Sequence, residues 1–168
     1  MKKLIFLLII IFVTGQTVQG QDRLKGVMAE LSKLENVQRQ VVDKDMLNSQ
    51  MEQAMAADPT GELRLQMPSF IQKIDSIEVL AAENVNEEMY TKIVNDMDGI
   101  KDGDGYETIL TVKEDSDYVR IMAYKEADSI LAVYIIAMDK GSIAFVKMAG
   151  TLSHDDLIEI IEKQKKNK

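Results

Sequence analysis

Four apolar segments in the second half of the chain constrain its fold more than any other feature. Each is rich in β-branched, aromatic or aliphatic residues, and they span Tyr106–Lys113, Tyr118–Lys125, Ile130–Met138 and Ser142–Gly150. Only three or four residues, mostly polar, separate each segment from the next. Because such short connections force neighbouring strands to run antiparallel, the pattern predicts a four-stranded meander over residues 106–150.

The strands of this meander differ in the polarity of their two faces. The third strand is apolar on both faces, which predicts a central position with both faces covered, at least in part. In the second strand, Tyr118 and Arg120 alternate with Val119 and Ile121. This alternation predicts that the face of the second strand carrying Arg120 is exposed to solvent.

The chain before the meander alternates between helical and extended patterns. Apolar residues spaced by three and four, or by two, predict helices over Asp22–Leu34, over Asp43–Ala57 and from a cap at Asn84 or Asn86 to about Met97. They also predict strands over Val37–Val42 and Ser76–Ala82. After the meander, Ser153 and Asp156 approximate a capping box that begins a closing helix over residues 154–165. The order predicts an α+β fold: a single twisted, mainly antiparallel sheet of about five to six strands, with helices packed mostly on one face.

The first twenty residues have the pattern of an export signal. Lys2 and Lys3 precede the apolar segment Leu4–Val13, and small residues follow, so we expect a signal peptide over residues 1–20 and a single domain over residues 21–168. The chain has no cysteine, which excludes disulfides, thiol catalysis and a lipidated N-terminal cysteine. We therefore expect a periplasmic or secreted protein with no stable membrane anchor after signal cleavage.

The charge balance argues against nucleic acid and anionic membranes as partners. The net charge is −8, and removal of Lys2 and Lys3 with the signal makes it more negative. Binding to phosphate backbones requires clustered Lys and Arg. The basic cluster at the C-terminus is more typical of a solvated tail that complements a helix dipole, and it consists of Lys163, Lys165, Lys166 and Lys168.

Acidic residues between the third predicted helix and the meander are weak candidates for a metal site. Asp98, Asp102 and Asp104 lie among glycines, and clustered carboxylates on such a loop can bind calcium. Their spacing does not fit the twelve-residue calcium loop, since the third and twelfth positions counted from Asp98 are Ile100 and Ile109. Asp and Gly are also the residues expected where a helix stops and a turn begins.

Other residues capable of chemistry are isolated. His154, the sole histidine, lies beside Asp155 at a predicted helix start. The local sequence indicates no serine or cysteine nucleophile that it could activate. Met46, Met51 and Met55 could ligate monovalent copper, but methionines at helical spacing more often fill a core. We therefore predict no catalytic residue and no cofactor.

The amino-acid sequence of the meander resembles that of a known family. Tyr106–Asp115 is similar to the Tyr-Glu-x-Leu-x-x-Val-Lys-Glu-Asp signature of small exported bacterial proteins classed as domain of unknown function 4252, and further similarity lies in Asp75–Leu80 and Gly150–Ser153. The resemblance implies export by Gram-negative bacteria and no established enzymatic activity. Many family members look like lipoproteins, from which this chain departs by lacking the cysteine.

Together these features favour a non-enzymatic binding or interaction module of the cell envelope. Its expected partner is an envelope protein or a small apolar ligand, met at the sheet face or under a mobile Ala57–Ser69 segment. Two alternatives remain open. One is a hydrolase that uses carboxylates, with or without a metal, and has at least one raised pKa. The other is a calcium-binding envelope protein.

Overall fold

The structure, a computed structural model, describes residues 24–63 and 67–166, with side chains of the last helix up to Glu162. The expected signal peptide lies outside these residues, as do the side chains of the basic C-terminal tail. None of the helices within the described ranges is both long and apolar enough to cross a membrane.

Helices and strands follow one another in the predicted order. They are α1 (Lys25–Leu31), β1 (Val37–Asp43), α2 (Lys44–Ala56), a 3-10 helix (Ser69–Lys73), β2 (Ile74–Glu83), α3 (Glu87–Gly99), β3 (Tyr106–Glu114), β4 (Asp117–Glu126), β5 (Ser129–Asp139), β6 (Ser142–Leu152) and α4 (His154–Lys166). Side chains fix the helix starts: Asp43 accepts a hydrogen bond from the backbone N–H of Met46, and Asn86 accepts one from that of Met89, each at 2.9 Å.

The strands form one six-stranded sheet in the order β1-β2-β6-β5-β4-β3. Every neighbouring pair is antiparallel. This confirms the α+β class, the antiparallel sheet and the meander of β3 to β6. It also confirms the central position of the third meander strand, since β5 lies between β4 and β6.

The two faces of the sheet carry separate apolar cores. One face, here called the sealed face, packs against α1 and α3 and includes Tyr118, Met122, Tyr134, Ile136 and Phe145. The other, called the open face, packs against α2, the 3-10 helix and α4, and includes Ile121, Val133, Ile135, Val146 and Met148.

The helices are thus divided between the faces, which differs from the expectation that they would lie mostly on one. The reason lies in the connections of the chain. The link from β2 to the meander places α3 on one side of the sheet, while α2 and α4 fold back onto the other side after β1 and β6. Apolar stripes on the helices do not reveal which side each helix takes.

Candidate functional site

The open face carries a row of aliphatic side chains that the helices cover only in part. Successive residues of a strand point to opposite faces, so residues paired across strands share a face. Leu110 pairs with Ile121, Ile121 with Ile135, and Ile135 with Val146. The next row on this face joins Val112, Val119 and Ala137. Six of these side chains are only partly buried and are here called the apolar shelf: Leu110, Val112, Val119, Ile135, Ala137 and Val146.

At one end the apolar shelf meets the part of the open face that α4 covers. Leu157 and Ile160 of α4 belong to the same core as Val133 and Met148. These four side chains are at most 6% exposed. The apolar surface therefore continues beneath α4, and the shelf is the portion that this helix leaves accessible.

At the side of the sheet formed by β1 and β2, the open face is covered by α2. Leu47 of α2 packs in one core with Val42 of β1. The Nε2 atom of Gln40 on β1 and the Oε1 atom of Gln50 on α2 are buried and have no hydrogen-bond partner among the described residues. Polar side chains thus lie beneath α2, and the wholly aliphatic part of the open face is on β3 to β6.

A buried carboxylate holds α4 in place. Asp156 is 2% exposed and accepts hydrogen bonds from Lys73 Nζ at 2.9 and 2.7 Å, and from the Ser153 backbone N–H at 2.7 Å and hydroxyl at 2.6 Å. This confirms the predicted capping box and adds an ion pair to the 3-10 helix. Burial acts to raise the pKa of Asp156, but the bonds from Lys73 and Ser153 outweigh it and hold the pKa below its usual range.

On the sealed face, a buried cation lies where the meander meets the end of α3. Arg120 is 7% exposed, and its guanidinium donates to the carbonyls of Met97 and Ile100 at the end of α3 and to the Thr108 hydroxyl of β3. The expectation that this face of β4 is exposed to solvent is therefore wrong. A helix C-terminus presents carbonyls that lack intrahelical partners, and Arg120 donates to two carbonyls there, of which that of Met97 also accepts from the Ile100 backbone N–H at 3.1 Å. In the sequence, the only hint of this contact is that a predicted helix ends one strand before the strand that carries Arg120.

The three acidic metal candidates are engaged in separate contacts rather than brought to one point. Asp98 accepts hydrogen bonds from Lys113 at 2.6 Å and from the Tyr118 hydroxyl at 3.3 Å. Asp102 accepts hydrogen bonds from the Thr108 backbone N–H at 2.9 Å and its hydroxyl at 2.7 Å.

Asp104, the third candidate, occupies the left-handed backbone region with φ of 49° in the turn before β3. Within residues 24–63 and 67–166, no group of three or more His, Cys, Asp or Glu side chains is placed to hold a metal ion.

The remaining candidates from the sequence are dispersed. His154 is exposed at the start of α4. Met46 packs against the core beneath α2, while Met51 and Met55 are partly buried on the same helix.

The pKa is lowered in several carboxyl groups. Burial acts to raise the pKa of Asp98, but the hydrogen bond from Lys113 outweighs it and lowers the pKa. The hydrogen bonds from Thr108 lower the pKa of Asp102. A hydrogen bond from Thr60 lowers the pKa of Asp58, and one from Lys33 lowers the pKa of Glu30. A catalytic acid needs a shift in the opposite direction. These shifts therefore do not favour the hydrolase alternative.

Comparison with known proteins identifies a family. The family model described as a domain of unknown function, DUF4252, matches residues 31–160. No curated protein and no solved structure matches the chain. The matched range contains all six strands, α2, α3 and the residues of the apolar shelf.

Proposed function

The chain belongs to the DUF4252 family of unknown function, and from its geometry we propose that it is a non-enzymatic binding or interaction module of the bacterial cell envelope. The observation that carries this proposal is the apolar shelf. Partly exposed aliphatic side chains lie side by side on four hydrogen-bonded strands. Contiguous apolar surface on a folded protein commonly marks a site for a protein or an apolar ligand.

The physical basis for binding is further burial of the shelf. Removal of apolar surface from water contributes roughly 25 cal/mol per Å². The strands beneath the shelf are paired on both sides from β4 to β6, so little backbone ordering has to accompany binding. A rigid apolar floor of this kind suits an aliphatic surface of an envelope protein or a small apolar molecule.

Placement in the envelope is supported by the sequence. Lys2, Lys3 and the apolar segment Leu4–Val13 have the pattern of a secretory signal, and the chain lacks the cysteine that lipid anchoring requires. We therefore place the mature protein in the periplasm or the medium. Proteomic comparison of periplasmic, membrane and culture fractions tests this placement; intact residues 1–20 in the cytoplasm would contradict it.

The shelf itself is tested with a neutral fluorescent probe, N-phenyl-1-naphthylamine, titrated into the mature protein. We expect saturable fluorescence enhancement that Val119→Asp weakens at least about tenfold, since a charge on the shelf must be desolvated when the probe binds. The matched control is Ile158→Asp. Ile158 is 50% exposed on α4, so this variant places the same charge on an apolar side chain outside the shelf.

Two results would overturn the proposal. One is the absence of saturable binding by the wild-type protein. The other is equal binding by the Val119→Asp and Ile158→Asp variants, which would show that the shelf is not the site. Thermal melts of both variants establish that each is folded at the assay temperature.

A further inference from the structure

A row of carboxylates borders the apolar shelf at the end of the sheet opposite α4. Glu114 pairs with Asp117 across β3 and β4, and Glu83 and Asp139 both pair with Ser142 of β6. Asp117 and Asp139 flank the paired residues Tyr118 and Met138. The row of Glu83, Glu114, Asp117 and Asp139, here called the acidic row, thus crosses five neighbouring strands at one end of the sheet.

The acidic row lies on the same face as the apolar shelf. Three of its members are two positions along their strands from a shelf residue, because Glu114 follows Val112, Asp117 precedes Val119 and Asp139 follows Ala137. The fourth member, Glu83, shares their face because it pairs with Ser142, as Asp139 does. Side chains two positions apart in a strand point to the same face. The open face therefore grades from an aliphatic surface to an anionic border.

The carboxylates of the acidic row are not paired with any cationic side chain that the structure describes. None of the four forms an ion pair with another described residue, although Asp139 accepts a hydrogen bond from the Ser142 hydroxyl at 2.5 Å. Lys113 lies close by in sequence but pairs with Asp98, and Lys140 is exposed in the β5–β6 turn.

The effect of these charges reaches a neighbouring tyrosine. The pKa of Tyr90, whose hydroxyl donates to the Ser116 carbonyl, is raised by burial and then by the charges of Asp117 and Asp139. Tyr90 packs against the sealed-face core, so the charges of Asp117 and Asp139 act at the end of the sheet and are not confined to the open face.

Such an arrangement carries a cost for folding. Like charges directly opposite each other on neighbouring strands, as Glu114 and Asp117 are, destabilise a sheet. Places where a sequence departs from the local rule are expected at functional sites. A cationic partner would relieve this repulsion.

We propose that the apolar shelf and the acidic row together bind a peptide segment with aliphatic side chains along one side and Lys or Arg at one end. The inference rests on the proposed function of the shelf and names the chemistry of its partner. The aliphatic side of the segment contacts Val119, Ile135 and Ala137, and its cationic end lies against Asp117 and Asp139. The same charges repel anionic lipid headgroups and nucleic acid.

The contribution of the acidic row is expected in the rate of association and its dependence on salt. Charges at the border of an interface mainly steer the encounter and suppress wrong partners, whereas the apolar floor contributes most of the affinity. Ionic strength above physiological values screens exposed charges over distances beyond about 8 Å. The selectivity for cationic segments is therefore expected to decline as salt is added.

Three synthetic helical peptides test the inference with the mature protein. All carry the same leucine side, and their last turn contains three lysines, three glutamates or three glutamines. We expect the lysine peptide to bind about tenfold more tightly than the glutamate peptide at low salt, with a faster association rate. The double variant Asp117→Asn/Asp139→Asn should reduce this preference to roughly twofold.

A matched variant controls for net charge. Glu126→Gln/Asp128→Asn removes two exposed acidic charges at the β4–β5 turn, at the other end of the sheet. It should keep the full preference for the lysine peptide. Equal loss of preference in both double variants would show that overall charge, and not the acidic row, selects the peptide, and would overturn the inference.

Failure of the inference can be distinguished from failure of the proposed function. If all three peptides bind equally and Val119→Asp weakens them all, the shelf binds as proposed and the role of the acidic row is wrong. If no peptide and no neutral probe binds, both proposals are wrong. Concentration-dependent self-association that is lost when residues 163–168 are deleted would identify the basic tail of a second copy as the occupant, and would overturn an external partner.

Discussion

The two faces of the sheet are built from the same strands but are completed differently. On β5, Ile136 points to the sealed face and is 0% exposed, while its neighbours Ile135 and Ala137 point to the open face and are only partly buried. On β4, Met122 is fully buried on the sealed face, whereas Val119 of the open face remains partly accessible. The contrast is one of coverage, because both faces are apolar.

The difference teaches where this fold leaves room for a partner. The sealed face is closed over the meander by α1 and α3, and its aromatic side chains pack tilted or edge to face, with Tyr106 5.0 Å from Tyr124 and Tyr134 6.1 Å from Phe145 between ring centroids. The open face is covered by α4 at one end and by α2 at one side. The rest of its apolar surface, the apolar shelf, is only partly buried by the described residues.

The largest expected effect comes from truncating neighbouring isoleucines on β5. Ile136→Ala should lower the free energy of unfolding by about 4 kcal/mol, because it opens a cavity in the sealed core. Ile135→Ala should cost only about 1 kcal/mol, because that side chain already contacts solvent. Urea unfolding of both variants measures the difference. Equal losses would show that the open face is as tightly packed as the sealed one.

The second expected effect concerns Arg120, which ends α3 on the sealed face. Arg120→Met keeps much of the apolar stem but leaves the Met97 and Ile100 carbonyls without their charged donor, so we expect a loss of about 2–3 kcal/mol. Lys113→Met is the control, since the exposed pair of Lys113 with Asp98 should contribute at most about 1 kcal/mol. Similar losses in both would contradict a special role for Arg120.

Arg120 also shows what the sequence could predict and what it could not. The order of elements, the antiparallel meander and the capping of α4 follow from local periodicity and turn chemistry, and the structure confirms them. The burial of Arg120 depends on a helix end contributed from twenty residues earlier in the chain, at Ile100. Strand alternation alone assigns such a residue to solvent, because it does not say what packs against each face.

The apolar shelf was beyond prediction for the same reason. Apolar residues on both sides of β5 correctly predicted two faces that are at least partly covered, but the extent of the cover depends on the placement of α2 and α4. The acidic row exists only because strand pairing brings carboxylates from four strands to one end of the sheet. In the sequence its members are ordinary residues at the ends of strands and in turns.

The third expected effect tests how the covered part of the open face is held. Asp156→Asn should cost about 2 kcal/mol at pH 7, because the buried group loses the charged pair with Lys73. The folded-state pKa of Asp156 lies below the ordinary value of about 3.9, so its contribution is fully present above that pH and is lost as the pH falls through the folded pKa. The stability gap between variant and wild type should therefore shrink under acid conditions.

The neighbouring Asp155 provides the control for this acid response. Asp155 is exposed in the first turn of the same helix, so Asp155→Asn alters the helix-end charge without touching the pair with Lys73. Its effect on the free energy of unfolding should be below about 1 kcal/mol. If the difference in free energy of unfolding between Asp156→Asn and the wild type stays constant from pH 7 to pH 2.5, Asp156 does not stabilise α4 through its charge.

The smallest expected effect is that of calcium at the end of α3, where the acidic residues serve the fold. A calcium site filled at 100 times its dissociation constant would add about 2.7 kcal/mol. For a chain of this size that corresponds to a rise in melting temperature of roughly 5–10 °C. Because Asp98 is bound to Lys113 and Asp102 to Thr108, we expect melting curves in 1 mM calcium and in chelator to agree within about 1 °C. A dose-dependent rise that Asp98→Asn abolishes would instead establish the calcium alternative and make this end of the sealed face, rather than the open one, the functional region.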